Sequence, residues 1–418
     1  MGWNSWDCYM SAVTEAELLE NARYQAEHLL PYGWEYVTCD IQWYEPAAGT
    51  RPGCEYIPFA RLCMDEYGRL IPAENRFPSS AGGRGFGPIA AELHRLGLKF
   101  GIHIMRGVPK QAVFARTPVL NGNCTADEIA DPNAICLWNS DMFGTRKDCA
   151  GAQAYYDSLF ELYASWGVDF VKVDDIAHTG VAESGGYAAA HDIEMIRRAI
   201  DRCGRPIVLS LSPGPAPVEK AWHLRQNANM WRITNDFWDD WALLKNMFTR
   251  CEIWQSHVGP GCWPDCDMLP LGRIGVKFGQ PRQTRFTPAE QKTLLTLWSV
   301  FRSPLILGAE LPSLDEATLR LLTNRDVLRL NRHSFGARQI ARDDAQAVWV
   351  SQDEDGSHYA ALFNLSEETR EVSLDLRELE GEAFDCRELW TGETLAARQT
   401  LSCIIEPHGA KLFRCRTR

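Results

Sequence analysis

The chain has 418 residues, 45% of them hydrophobic and 23% charged, with a formal net charge of −12. That composition belongs to a globular protein with a sizeable core, and the length to about two domains or one large barrel with an appendage. The acidic balance argues against nucleic acid or an acidic membrane surface as a partner, since both ask for basic patches.

The amino-terminal stretch, MGWNSWDCYM, has neither a basic nor an apolar leader segment. No run of about twenty uncharged apolar residues occurs, because LLTLWSVFRSPLILGAEL is interrupted by Arg302. The fourteen cysteines follow no framework spacing, and Cys262 and Cys266 of GCWPDC lack the histidine partners of a zinc site. No metal and no cofactor is therefore expected, and the cysteines read as reduced thiols in a cytoplasmic protein. The sequence leaves the oligomeric state open, a homo-oligomer included.

In chain order, strands are expected near residues 2–6, 34–43, 98–105, 168–175, 206–212, 229–236, 252–258 and 303–310. Between them lie amphipathic stretches such as EAELLENARYQAEHLL and AQAYYDSLFELYASWG, with apolar residues three and four apart. Eight strands, each followed by a helix, form the repeat of a (β/α)8 TIM barrel, assigned to residues 1–325. The connections 44–83 and 106–149 are too long for bare loops. They follow strands two and three at the end where barrels build their sites, and are expected to wall the site. After LLTNRDVLRLNRHSFG the pattern becomes short alternating strands, such as AVWVSQD, YAALFNLS, REVSLDL, EAFDCRELW and GAKLFRC, split by turn residues. Residues 326–418 are accordingly expected to form a C-terminal antiparallel β-sandwich domain.

Side chains alternate across a strand, and a barrel strand turns one face to the helices and the other to the interior. In FVKVDD, Val171 and Val173 suit the helix side, where a buried lysine would be costly, so Lys172 and Asp174 point inward. In WRITND the same test sends Trp231 and Ile233 outward, and Arg232, Thr234 and Asp236 inward. Strand two offers Asp40, strand three His103 and strand five Ser212. A polar ring thus gathers at the carboxyl ends of the strands. Two inward carboxylates on next-but-one strands, among cations and hydroxyl-binding groups, suit glycoside cleavage. Asp174, held ionised by Lys172, would attack the anomeric carbon, while a protonated Asp236 would serve the departing oxygen. An ion-pair cluster that only ties the barrel top together is the competing reading.

The motifs GWNSW, VKVDD, WRITND and GPGCWPDCDML, in that order, resemble glycoside hydrolase family 27, the melibiase-type α-galactosidases and their relatives. LLTNRDVLRLN is similar to that family's closing motif, so the resemblance runs from residue 2 to about 335. It implies a retaining double displacement with Asp174 as nucleophile and Asp236 as acid/base, and a small oligosaccharide or glycoside as substrate. It also implies sugar contacts from Trp6, Asp40, Lys172, Arg232, Asp267 and Met268, with His103 standing where relatives often have tyrosine.

Three departures bear on the substrate and the site. Where many relatives carry two successive aspartates reading the C4 and C6 hydroxyls of galactose, this chain has Asp40–Ile41. An α-galactosidase is expected, with β-L-arabinopyranosidase as an alternative, because an apolar wall cannot read a hydroxyl. Ser212 resembles the arrangement that admits a 2-acetamido group, which keeps α-N-acetylgalactosaminidase open. The family's cysteine two residues after the nucleophile is Ile176 here, so its disulfide is absent, and Arg106 is expected to donate to the sugar in compensation. Outside hydrolysis, the same carboxylates serve a transglycosylase. A catalytically silent sugar-binding barrel is the reading from a different class.

Overall fold

Barrel strands form where apolar, β-branched runs meet glycines small enough for close approach. A computed structural model describes residues 1–179, 186–279 and 281–418. The chain is a (β/α)8 barrel followed by an antiparallel β-sandwich. Its barrel strands are β1 (Gly2–Asn4), β2 (Tyr36–Cys39), β3 (Lys99–Met105), β4 (Phe170–Asp174), β5 (Val208–Ser212), β6 (Met230–Arg232), β7 (Trp263–Asp265) and β8 (Ile306–Leu307).

Two compact units divide the chain. The first comprises Met1–Asp236, Met268–Gln283 and Ile306–Leu314, and the second Phe237–Asp267, Thr284–Leu305 and Asp315–Arg418. Within the first unit the parallel order is β6-β5-β4-β3-β2-β1-β8, and Leu269 bridges Leu307 in parallel. The register sets His103 beside Lys172, and Asp174 beside both Met105 and Ser212. Val171 and Val173 are wholly buried, which is the packing that leaves Lys172 and Asp174 for the other face. A Cβ on Gly101 would stand 2.7 Å from Thr38 Oγ1 and 2.9 Å from Phe170 Cδ1. Only glycine lets β2, β3 and β4 close at that level. Helix Ala150–Trp166 buries Tyr155, Tyr156, Leu159, Phe160, Tyr163 and Trp166, and ends at left-handed Gly167.

The segment expected as strand seven, residues 252–258, is instead the end of helix Trp241–Trp254 and the turn Gln255–His257. Leu244, Met247, Phe248, Cys251 and Trp254 are its buried residues, three and four apart, so the helical period prevails. Ile253, which gives the stretch its strand-like look, is 51% exposed. The strand is β7, three residues long with Pro264 at its centre.

Of the two long connections, 106–149 carries a three-stranded antiparallel sheet from Val108–Pro109, Met142–Thr145 and Ala130–Ile135. The other has only short turns, Pro52–Cys54 and Pro78–Ser80.

In the second unit, β9 (Ser334–Arg342), β10 (Gln346–Asp353), β11 (His358–Asn364), β12 (Arg370–Asp375), β13 (Ala383–Glu388), β14 (Thr394–Arg398), β15 (Thr400–Ile405) and β16 (Ala410–Thr417) form the sandwich. Their order is β9-β10-β11-β16-β13-β14-β15-β12, around a core that includes Val348, Leu362, Leu374, Phe384, Leu401 and Phe413. The expected sandwich thus holds three further strands, β9, β14 and β15.

Candidate active site

Asp40, at the exit of β2, is the hub of the first unit's polar ring. It is fully buried, and four donors converge on its carboxylate. Asn4 Nδ2 and Lys172 Nζ reach Oδ2 at 2.8 and 3.3 Å, while His103 Nδ1 and the Ile41 amide reach Oδ1 at 2.6 and 2.9 Å. Burial alone would raise the Asp40 pKa. The charges of His103 and Lys172, with the hydrogen bonds from His103 and Asn4, outweigh it and hold the carboxyl below the usual range. Burial would likewise strip the proton from His103, but Asp40 and Asp174 prevail against burial and Lys172 and raise it.

His103 spans two carboxylates, its Nε2 lying 3.3 Å from Asp174 Oδ2. Asp174 accepts the Asp175 amide on Oδ1 at 2.7 Å. Burial opposes its ionisation, yet the hydrogen bond and charge of His103, then Arg232, then Lys172, bring its pKa below the ordinary value. Lys172 was expected to hold Asp174 ionised. It does act in that direction, but it pairs with Asp40, and His103 and Arg232 act on Asp174 ahead of it.

Asp236 follows β6 and is ion-paired with Arg232 at 2.6 Å, its side chain 62% exposed. Arg232 is anchored in turn by the Pro213 carbonyl, 3.1 Å from Nε. The one guanidinium therefore pairs with Asp236 and also lowers Asp174. Ser212 is 3% exposed, and its hydroxyl meets no partner among the described residues. Trp6 stacks on Tyr56, with ring centres 6.4 Å apart and planes at 21°, and Tyr56 meets Trp138 at 5.5 Å. Tyr56 and Trp138 come from the two long connections.

Tyr56 itself escaped the sequence reading, since an aromatic in a long loop carries no periodic signal. Its phenol is pushed well above the ordinary value by burial, then by Asp40, Asp174, Asp236 and Asp141. Met268 is buried in the first unit. Asp267 is held within the second, where it accepts the Phe237 amide at 2.8 Å and its carbonyl accepts Trp298 Nε1 at 3.1 Å. Arg106, expected to donate to a sugar, is spent on a buried ion pair with Asp175 at 2.9 Å and on the Asp175 carbonyl.

Among the described residues no group of three or more His, Cys, Asp or Glu side chains is arranged to hold a metal ion. No helix among them is long and apolar enough to cross a membrane.

Residues 134–333 match the family model described as alpha galactosidase A, and residues 343–415 match the alpha galactosidase C-terminal beta sandwich domain. Alpha-galactosidase 2 of Arabidopsis thaliana is 23% identical over 420 residues, covering 99% of this chain and 88% of that one. Among solved structures, a putative alpha-N-acetylgalactosaminidase from Bacillus halodurans is 49% identical, covers 100% of this chain and 97% of that one, and superposes with a TM-score of 0.90. A family 27 β-L-arabinopyranosidase from Geobacillus stearothermophilus is 54% identical, covers 99% of this chain and 95% of that one, and reaches 0.96. Identity above one half over nearly the whole of both chains cannot be separated from common descent, and the chain belongs to glycoside hydrolase family 27.

Proposed function

We propose that this glycoside hydrolase is a retaining exo-glycosidase whose preferred substrates are β-L-arabinopyranosides, with α-D-galactosides as the slower class. One observation carries the sugar preference. At the end of β2 the only carboxylate is Asp40, already meeting four donors, and the next residue is a buried aliphatic, Ile41. A hydroxymethyl oxygen at C6 would find no acceptor there, and a pyranose that lacks this group loses nothing. The 54% identity with a β-L-arabinopyranosidase supports the same reading.

In this reading Asp174, kept ionised beside His103 and Arg232, attacks the anomeric carbon as the bond to the aglycone oxygen breaks. Asp236 passes a proton to that oxygen. A water, giving its proton to Asp236, then attacks the same carbon and frees Asp174, so configuration is kept. Lys172 and Arg232 donate to ring hydroxyls, and Asp40 fixes Lys172 and His103 for that work. Trp6 and Tyr56 supply an apolar wall, and Tyr56 keeps its phenolic proton as a donor. Met268 completes the sugar contacts.

A second reading, α-N-acetylgalactosaminidase, rests on the small Ser212 with its unpartnered hydroxyl beside Asp174 in register. The 49% identity with a putative enzyme of that kind adds weight.

Aryl β-L-arabinopyranoside, α-galactoside, α-N-acetylgalactosaminide and α-glucoside, compared by kcat/KM, decide between these. The arabinopyranoside is expected to lead. A faster α-galactoside overturns the assigned preference, and a faster acetamido sugar installs the second reading. Product anomers followed by NMR test retention.

A further inference from the structure

Asp175 stands directly after the proposed nucleophile with φ of 53°, in the left-handed region, which non-glycine residues occupy only when something holds them. That conformation aims its amide at Asp174 Oδ1, 2.7 Å away. His103 Nε2 lies 3.3 Å from the other oxygen, at ion-pair distance.

The holding group for Asp175 is Arg106, from the exit of the neighbouring strand β3. Its amide donates to the Asp174 carbonyl at 3.2 Å, its Nε donates to the Asp175 carbonyl, and its Nη2 lies 2.9 Å from Asp175 Oδ2. The guanidinium thus grips the Asp175 carbonyl and carboxylate, while the main-chain amide of the same residue pairs with the carbonyl of the Asp174–Asp175 peptide. Both side chains of the pair are 5% exposed. The seat for the guanidinium is made by Gly144 of the strand Met142–Thr145, where a Cβ would stand 2.0 Å from Arg106 Nη1.

We infer that Arg106 and Asp175 are positioning residues for catalysis, a buried ionic clasp that fixes the Asp175 backbone so that its amide holds the nucleophilic carboxylate in attacking orientation. A buried ion pair is a weak source of net stability, because desolvation of both groups offsets their attraction. Burial, with the charge of Asp174 adding to it, raises the Asp175 pKa to about 6 despite Arg106. What distinguishes the pair from a general brace is where the two side-chain donors land: on the carbonyl and the carboxylate of the residue whose amide holds Asp174.

This inference rests on the reading of Asp174 as nucleophile, and the experiment separates the two. Azide rescue of Asp174→Ala, yielding a glycosyl azide of inverted configuration, tests the nucleophile alone. Arg106→Met, Arg106→Lys and Gly144→Ala are then compared with wild type on a phenyl glycoside, per folded molecule, with melting temperature in parallel. Misplacing a reacting group by about 1 Å costs on the order of 100-fold. Arg106→Met is therefore expected to lose about 100-fold in kcat with KM within about threefold, since the sugar contacts are untouched. Arg106→Lys should recover part of that loss. Gly144→Ala, which displaces the guanidinium without altering either partner, should fall in the same direction. If Arg106→Met does not fold, the other two variants carry the test. Rescue of Asp174→Ala together with wild-type kcat in Arg106→Lys and Gly144→Ala, whatever their melting temperatures, overturns the positioning role and leaves the reaction standing. Absence of azide rescue overturns both.

Discussion

The side chain of Asp174 is 16% exposed, with an amide on one oxygen and an imidazole 3.3 Å from the other, whereas that of Asp236 is 62% exposed and bonds one guanidinium. The chemical group is identical, and the surroundings are opposite. A carboxylate that must attack a carbon gains from being immobile and from having its charge supported in a dry setting. One that must hand over a proton and take it back needs contact with water. Arg232 joins the two settings, pairing with Asp236 while lowering Asp174. A change at either carboxylate is therefore felt by the other.

The sharpest way to break this contrast is to remove the enclosed group. Asp174→Ala should cost roughly 10⁴-fold or more in kcat/KM on every glycoside, since on the proposed reading Asp174 is the group that forms the covalent intermediate. Steady-state hydrolysis of aryl glycosides with and without azide checks it. The open group should behave differently. Asp236→Ala should cost about 10²–10⁴-fold where the leaving group needs a proton, and far less for a dinitrophenyl glycoside, which departs unaided. A leaving-group series for wild type and variant reads the difference directly. Equal losses across the series would show that Asp236 is not the proton donor.

The inner half of this contrast was legible in the sequence, because period-two alternation in FVKVDD and WRITND is a backbone property that needs no knowledge of neighbours. Wholly buried Val171 and Val173 are what that pattern requires. Partner choice was not legible. Lys172 goes to Asp40 and His103 serves Asp174 because β2, β3 and β4 adopt a particular stagger, which only pairing reveals. Strand seven was misread where short apolar runs fit both periods, and β7 with its central proline shows no strand signal at all. The missed sandwich strands are polar on their surfaces: SFGARQIAR and TLAAR leave most residues exposed or half-buried, so their register comes from neighbours rather than from a hydrophobic face.

A smaller effect sharpens the contrast from the side of stability. The Asp40 pKa is depressed in the fold, so its contribution is present above an unfolded value of about 3.9 and is lost as pH falls through the folded value. The His103 pKa is raised, so its contribution is full below about 6.5 and is lost as pH rises through the folded value. The pair therefore stabilises most between about pH 4 and 6.5. Asp40→Asn should cost roughly 3–5 kcal/mol in that window, as expected for breaking a buried pair, and progressively less outside it. Chemical denaturation of both proteins from pH 3 to 9 tests this. A difference that does not vary with pH would show that the network is not held by charge.

The smallest change concerns the wall that the two carboxylates share. Burial, then Asp40, Asp174, Asp236 and Asp141, drives the Tyr56 pKa up, so the phenol stays protonated at any working pH. Tyr56→Phe keeps the ring, and with it the stack on Trp6 at 6.4 Å and the contact with Trp138 at 5.5 Å, while deleting the hydroxyl. One neutral hydrogen bond is worth about 0.5–1.5 kcal/mol, so kcat/KM should fall about 2- to 10-fold with little change in the pH profile. Tyr56→Ala also removes the ring and should fall further, mostly in KM, because the stacked wall binds ground state and transition state alike. If Phe and Ala at this position were equally impaired, the hydroxyl rather than the aromatic face would be what the sugar meets. Tyr56 would then belong with the proton-handling side of the site.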